Sequence, residues 1–372
     1  MKVKLPDICR IQYGYAFDSA GFTEDEMYIP LVRIRDVKRG YSETFYNGDY
    51  PEEFIIHSGD LLVGMDGEFN IARWQSRDAL LNQRVCKMTA KEGTNEEYLR
   101  FALSKALKTI ENRTAFVTVK HLSAKELNKL EIDVPQLVEQ KKVADTLAKI
   151  EAVISMRQEE LKTLDELIKA RFVEMFGDPE TNPKGWKKEA LKDHAIVIVG
   201  YPFPSEGYTA EGIDIVGGYN LMQGYIQWDE SKHWPNADGY DQYLLQANDI
   251  VMAMDRPWVN GGFKIARVDA NHLPALLIQR TACIRGVDIE QEFLHSLLDT
   301  QRFAEHCNIT GSLVPHISNK DINNFQVIVP PIEEQKRYTS FVAQVDRSKA
   351  AVQKSLDETQ MLFDSLMQEY FG

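Results

Sequence analysis

The chain has 372 residues, 44% of them hydrophobic, and a formal net charge of −13. Its length suits two globular domains with separate cores; no apolar run reaches the roughly 20 residues of a membrane span and residues 1–10 lack a signal-peptide stretch, so a cytoplasmic protein without a membrane partner is expected. Four scattered cysteines, Cys9, Cys86, Cys283 and Cys307, form no CxxC pair and read as buried thiols rather than disulfides or zinc ligands, while the acidic balance argues against a nucleic-acid partner unless basic groups gather on one face or partner subunits supply phosphate contacts.

Residues 1–136 read as a first α/β domain. Short apolar runs at 28–34 and 60–63, bounded by Gly, Pro, Asn and Asp, predict strands, and the spacing of Leu99, Leu103 and Leu107 predicts a helix over 95–111. Residues 31–40 form a basic turn, with Arg33, Arg35, Lys38 and Arg39 against the single acid Asp36. Because Arg and Lys serve both phosphates and guanine edges, these four are candidate DNA contacts. Arg73, Trp74 and Arg77 form a second candidate group, since Arg with Trp suits groove and backbone contact. Lys120 is a candidate for phosphate contact within the turn Lys120-His121, whose first role is structural.

Residues 137–178 differ in kind. Val143, Leu147, Ile150, Ile154, Arg157, Leu161, Leu164, Ile168, Arg171 and Met175 advance by alternating steps of four and three, the seam of a coiled coil.

Residues 179–330 read as a second α/β domain, with strands at 196–199 and 249–254 and a helix over 291–307. The turn at 217–224 carries Tyr219, Asn220 and Gln223 in place of charge, and amides can pair with adenine. The stretch 256–262 reads as an inserted loop. Arg256, Trp258 and Asn260, with Lys264 and Arg267 beyond it, form a further group of DNA candidates, matching Arg73, Trp74 and Arg77. His316 matches His121 as a phosphate candidate in a structural turn. Residues 331–372 repeat the seam at Tyr338, Val342, Val345, Lys349, Val352, Leu356, Thr359, Phe363, Leu366 and Tyr370.

The halves are copies. His121-Leu122-Ser123, Val134-Pro135 and Glu139-Gln140-Lys141 return 195 residues later as His316-Ile317-Ser318, Val329-Pro330 and Glu334-Gln335-Lys336. Residues 59–66 resemble 248–255, and Leu80-Leu81-Asn82-Gln83-Arg84 resembles Leu276-Leu277-Ile278-Gln279-Arg280. Features shared by both copies, such as Gln83-Arg84 and Gln279-Arg280, are expected to support the fold, whereas differing loops are expected to read different ligands. Equivalence of the copies requires the second helix to run back along the first. The expected architecture is therefore two α/β domains separated by two long antiparallel helices in a coiled coil, closing a pseudo-two-fold, effectively circular repeat. The helix interface is expected at Leu147, Ile150, Ile154, Leu161, Leu164 and Ile168 on one side, and at Val342, Val345, Val352, Leu356, Phe363 and Leu366 on the other.

No catalytic or metal site is expected. There is no GxxxxGK[ST] loop, no GxGxxG opening a helix, and no HxxxH or HExxH pair. A nuclease-like set built on Asp7, Asp36 and Lys38 loses its second carboxylate and its lysine in the other copy, at Asn220 and Met222.

Two variable α/β domains alternating with two similar helices, each introduced by Val-Pro and Glu-Gln-Lys, closely resemble the specificity (S) subunit of type I restriction-modification systems. The resemblance covers nearly the whole chain. It implies a non-enzymatic subunit of an enzyme complex, acting in the cytoplasm of a prokaryote. Each variable domain would be a target-recognition domain for one part of a bipartite, asymmetric double-stranded DNA site. The helices would act as a ruler and dock two methyltransferase (M) subunits. S-adenosylmethionine would sit on the M subunits and ATP with Mg on restriction (R) subunits, leaving no cofactor for this chain. The alternative reading is a duplicated protein-binding scaffold with a coiled-coil dimerisation element.

Overall fold

The computed structural model describes residues 2–113, 121–259, 262–307 and 316–372. Packing divides the chain into one unit of Met1–Gln158 with Lys354–Gly372, and a second of Glu159–Gln353. Each long helix, Leu137–Phe176 and Ile332–Phe371, 40 residues apiece, contributes one part to each unit.

In the first unit, Cys9–Tyr13, Val85–Ala90, Leu61–Gly64 and Ile71–Arg73 form an antiparallel sheet in that order. Alternation along Leu61–Gly64 decides the layers, because successive strand side chains point to opposite faces. Leu61 and Val63 join the core made with Leu99, Leu103 and Leu107 of helix Glu96–Arg113 and with Val143, Leu147 and Met367 of the long helices. Leu62 points the other way, into a smaller core with Val32, Trp74 and Leu81. A second sheet includes Ile29–Val32 and Ala79–Leu81 as a parallel pair.

The second unit repeats this plan. Ala195–Val199, Thr281–Gly286, Ile250–Ala253 and Ile265–Arg267 follow the same strand order. Ile250 and Met252 face the helical core, while Val251 and Ala253 face the core with Val216 and Leu221. The parallel pair is Ile213–Val216 with Ala275–Leu277.

Three sequence expectations change. The helix expected over 291–307 is two, Gln291–Leu298 and Gln301–His306, because Thr300 caps the second by accepting from the Phe303 amide at 3.2 Å. The basic turn contains the helix Ile34–Arg39, ended by Gly40 at φ 77°. The inserted loop is edged by the paired strands Trp258–Val259 and Gly262–Phe263.

Every seam position named in both long helices is buried or half-buried, and none is exposed. Within the second unit the helices run antiparallel: Asp165 pairs with Lys349 at 2.5 Å, the Arg171 guanidinium lies over the Phe341 ring, and Phe172 packs edge-on against Tyr338. Within the first unit the second long helix packs on the domain. Lys2 pairs with Asp133, the Tyr98 hydroxyl donates to the Asp133 carbonyl at 2.8 Å, and the Tyr98 ring packs on Phe371 at 5.2 Å. The same contact recurs one repeat away, where Phe293 and Phe176 lie 4.7 Å apart.

The shared Glu-Gln-Lys element has a structural reason. Gln140 and Gln335 are each 1% exposed. Each side-chain oxygen accepts the backbone amide that opens a neighbouring helix, from Asn95 at 2.8 Å and Glu290 at 2.9 Å. Each side-chain nitrogen donates to the proline carbonyl before its own helix, Pro135 or Pro330. Buried amides satisfied in this way fix where a long helix leaves its domain.

Candidate nucleic-acid interface

Helix Ile34–Arg39 presents its cations by burying its acid. Asp36 is fully buried and accepts from the Arg33 amide at 2.8 Å and from Ser42 Oγ at 2.9 Å, so Arg33, Arg35, Lys38 and Arg39 are left on the exposed side. Arg33 and Arg35 line an open groove of about 760 Å³ shared with Glu24, Glu26, Tyr41 and Glu43. Arg39 pairs with Glu43 at 3.2 Å. The groove is therefore mixed in charge, which suits hydrogen-bonded readout of a polar edge better than uniform attraction to phosphate.

The next group behaves differently. Trp74 is 1% exposed and donates its indole N–H to the Arg77 carbonyl at 2.7 Å, so it is a core residue and cannot reach a ligand. Arg77 donates back to the carbonyls of Glu26 and Tyr28. Arg73 commits all three guanidinium nitrogens to Gly59, Glu96 and Glu97. Burial works against its charge, but the two glutamates hold its pKa above the ordinary arginine value.

In the second unit, Asn220 is fully buried. It braces its own turn by accepting from the Gly217 amide and donating to the Ile215 carbonyl and Ser231 Oγ, so it cannot reach adenine. Lys264 donates inward to the Gly218 carbonyl, and burial lowers its pKa. Gln223 is tied to the Val259 carbonyl. The Tyr219 hydroxyl donates to the Ile215 carbonyl at 2.8 Å, burial pushes its pKa up to about 12, and Lys232 Nζ lies 4.9 Å from the ring centre. Trp258 is half-buried and stacks on Phe263. Arg256 is exposed, with a left-handed backbone at φ 46°. Lys120 and Asn260 lie outside the described residues.

Arg267 ties its strand to a neighbouring helix and to a long helix. It bridges Glu292 and, at 2.7 Å, Asp346 of the second long helix. The first unit ties its long helix by a longer route: Arg73 holds Glu97, Arg100 bonds Glu97, and Arg100, whose place is taken by His295 in the second unit, reaches Glu151 of the first long helix. Glu97 and Glu292, like Glu151 and Asp346, stand 195 residues apart. Sequence reading passed over these acids, although retention of charge at the repeat offset was the available signal.

His121 and His316 are exposed, and each directs Nδ1 at the carboxylate of Asp66 or Asp255. Arg84 and Arg280 meet the same two carboxylates. The following serines cap helices: Ser123 Oγ accepts from the Glu126 amide, and Ser318 Oγ from the Asp321 amide.

Among the described residues, no group of three or more His, Cys, Asp and Glu side chains is placed to hold a metal. All four cysteines are free and buried, and burial raises the thiol pKa of Cys9 to about 11 and of Cys86 and Cys307 to about 12. No described helix is long and apolar enough to cross a membrane.

Comparisons with known proteins identify the family and the fold. The family model described as the type I restriction modification DNA specificity domain matches residues 1–166 and 183–359. The type I restriction enzyme EcoBI specificity subunit of Escherichia coli is 26% identical over 407 aligned positions, covering 100% of this chain and 85% of that protein. The MjaVIII specificity subunit of Methanocaldococcus jannaschii is 23% identical, covering 87% and 80%. In fold, the chain is similar to the crystal structure of a type I S subunit from M. genitalium, with a TM-score of 0.58 at 15% identity, covering 100% of this chain and 96% of that one. It is also similar to a chain from a structural study of complex assembly and conformational transition in the type I system, with a TM-score of 0.54 at 17% identity and coverage of 100% and 97%.

Proposed function

The chain belongs to the type I restriction modification DNA specificity family, and from that premise we propose that it reads a bipartite, asymmetric double-stranded DNA site, one part with each α/β unit. One observation carries this reading: a duplicated scaffold bears unlike polar surfaces. The strand order, the buried glutamines and the ion locks to the long helices are common to both units. The exposed candidates without a like counterpart differ, with Arg33, Arg35, Lys38, Arg39 and Arg77 in one unit and Tyr219, Gln223 and Arg256 in the other. Two heads of one design with different faces suit a target whose two parts differ in sequence.

The long helices are assigned to docking two M subunits, with R subunits joining the complex in the cytoplasm of a prokaryotic cell. The M subunits would carry S-adenosylmethionine and the R subunits ATP with Mg, and this chain would hold no cofactor. The net charge of −13 makes a share of phosphate contact by the M subunits a natural part of the scheme.

The test is selection from a randomised duplex pool by the chain in complex with its M subunits. Enrichment of two short, different sequence blocks separated by an unconstrained spacer is expected. Failure to enrich any sequence would favour the protein-binding scaffold instead.

A further inference from the structure

One cluster is built twice, once in each unit. In the first unit, Asp66 accepts His121 Nδ1 at 2.5 Å and Arg84 Nη1 at 3.2 Å. In the second, Asp255 accepts His316 Nδ1 at 2.5 Å and Arg280 Nη1 at 2.9 Å. Three separate stretches of backbone are stitched identically beneath each cluster. The Met65 amide donates to the Arg84 carbonyl and the Leu122 amide to the Met65 carbonyl; Met254, Arg280 and Ile317 repeat the pattern.

The carboxylate sits inward and the donors outward. Asp66 is 21% exposed against 53% for Arg84 and 49% for His121. Asp255 is 31% exposed against 72% for Arg280 and 56% for His316. Holding Nδ1 on a carboxylate fixes the imidazole so that Nε2 faces away from it. A guanidinium that spends one nitrogen on the aspartate keeps further N–H groups on its solvent side, in a fork matched to tetrahedral oxyanions.

We propose that each cluster is a contact to a backbone phosphate of DNA, one per half-site, gripping without reading. The inference rests on the DNA-reading function proposed above. Surfaces that read sequence must differ between unlike half-sites, whereas the phosphate backbone is the same at both. A cluster identical in both units, with cations outermost in an acidic chain, matches the part of the ligand that does not vary.

The complex of the full chain with its M subunits is titrated against two duplexes, one bearing the selected site and one scrambled, over a series of salt concentrations. The double variant Arg84→Gln, Arg280→Gln is expected to lose about tenfold in affinity for both duplexes alike, with the salt slope reduced by about 2. Arg84→Lys with Arg280→Lys is expected to keep the slope, and it carries the test if the Gln pair folds poorly. Unchanged affinity and slope in the Gln pair would overturn the proposal, as would a loss confined to the selected site or a loss of the slope in the Lys pair. Failure of the Gln pair to assemble with M subunits in the absence of DNA would reassign the clusters to protein docking. An unmutated complex that binds neither duplex would remove the DNA reading itself, and the phosphate contacts with it.

Discussion

Phe176→Ala is expected to destabilise the second unit by about 3–5 kcal/mol, the range for emptying a buried aromatic site. Phe176 is 0% exposed. Its ring packs at 5.2 Å from Phe172, 4.7 Å from Phe293 and 5.6 Å from Tyr338, so truncation opens a void bounded by both long helices and the domain core. The equivalent Phe371→Ala in the first unit should cost only about 1–2 kcal/mol, because Phe371 is only half-buried and its removal leaves a site open to water. Denaturant unfolding followed by probes in each unit checks the pair. Equal losses in the two variants would contradict the account of how the helix ends are seated.

Arg267→Ala is expected to cost about 2–3 kcal/mol at neutral pH, below the full value for a buried pair because the guanidinium is 31% exposed. The change strands two carboxylates, Glu292 at 10% exposure and Asp346 at 35%. Burial already raises the Glu292 pKa, with Arg267 the chief opposing influence. Removing Arg267 raises that folded-state pKa further above the unfolded value, so the loss is greatest where the carboxylate must ionise. It shrinks as pH falls through the raised pKa toward the unfolded value of about 4.3. Urea melts of wild type and variant at neutral and mildly acidic pH measure the difference. A loss that grows on acidification would refute the pairing.

The long helices were legible because a seam of period 3.5 needs only sequence spacing, and each half repeats the other's spacing. Their ends were not. Phe172 and Phe176 lie off the seam, on a face that is apolar only because a domain packs on it, and no periodicity within the helix declares that contact. The reading heads divided in the same way. Arg33, Arg35, Lys38 and Arg39 are exposed because the acid among them, Asp36, caps the helix from inside. Trp74 and Asn220 looked suited to DNA by residue type, but tertiary packing turned both inward. The indole closes a core with Val32 and Leu81, and the amide satisfies the backbone of its own turn. The partners of Arg73 and Arg267 were not legible because a cation and its carboxylate can lie far apart in sequence, as Arg267 and Asp346 do. Retention of Arg73, Glu97 and Glu151 as Arg267, Glu292 and Asp346 marks them as part of the shared scaffold.

Replacing residues 1–136 by the corresponding domain of a relative with a different target, then mapping methylated adenines across the genome of a host that also carries the M subunits, addresses the modular reading directly. One block of the bipartite site is expected to change, while the other block and the spacer stay as they were. A change in both blocks, or in neither, would contradict recognition by two independent heads.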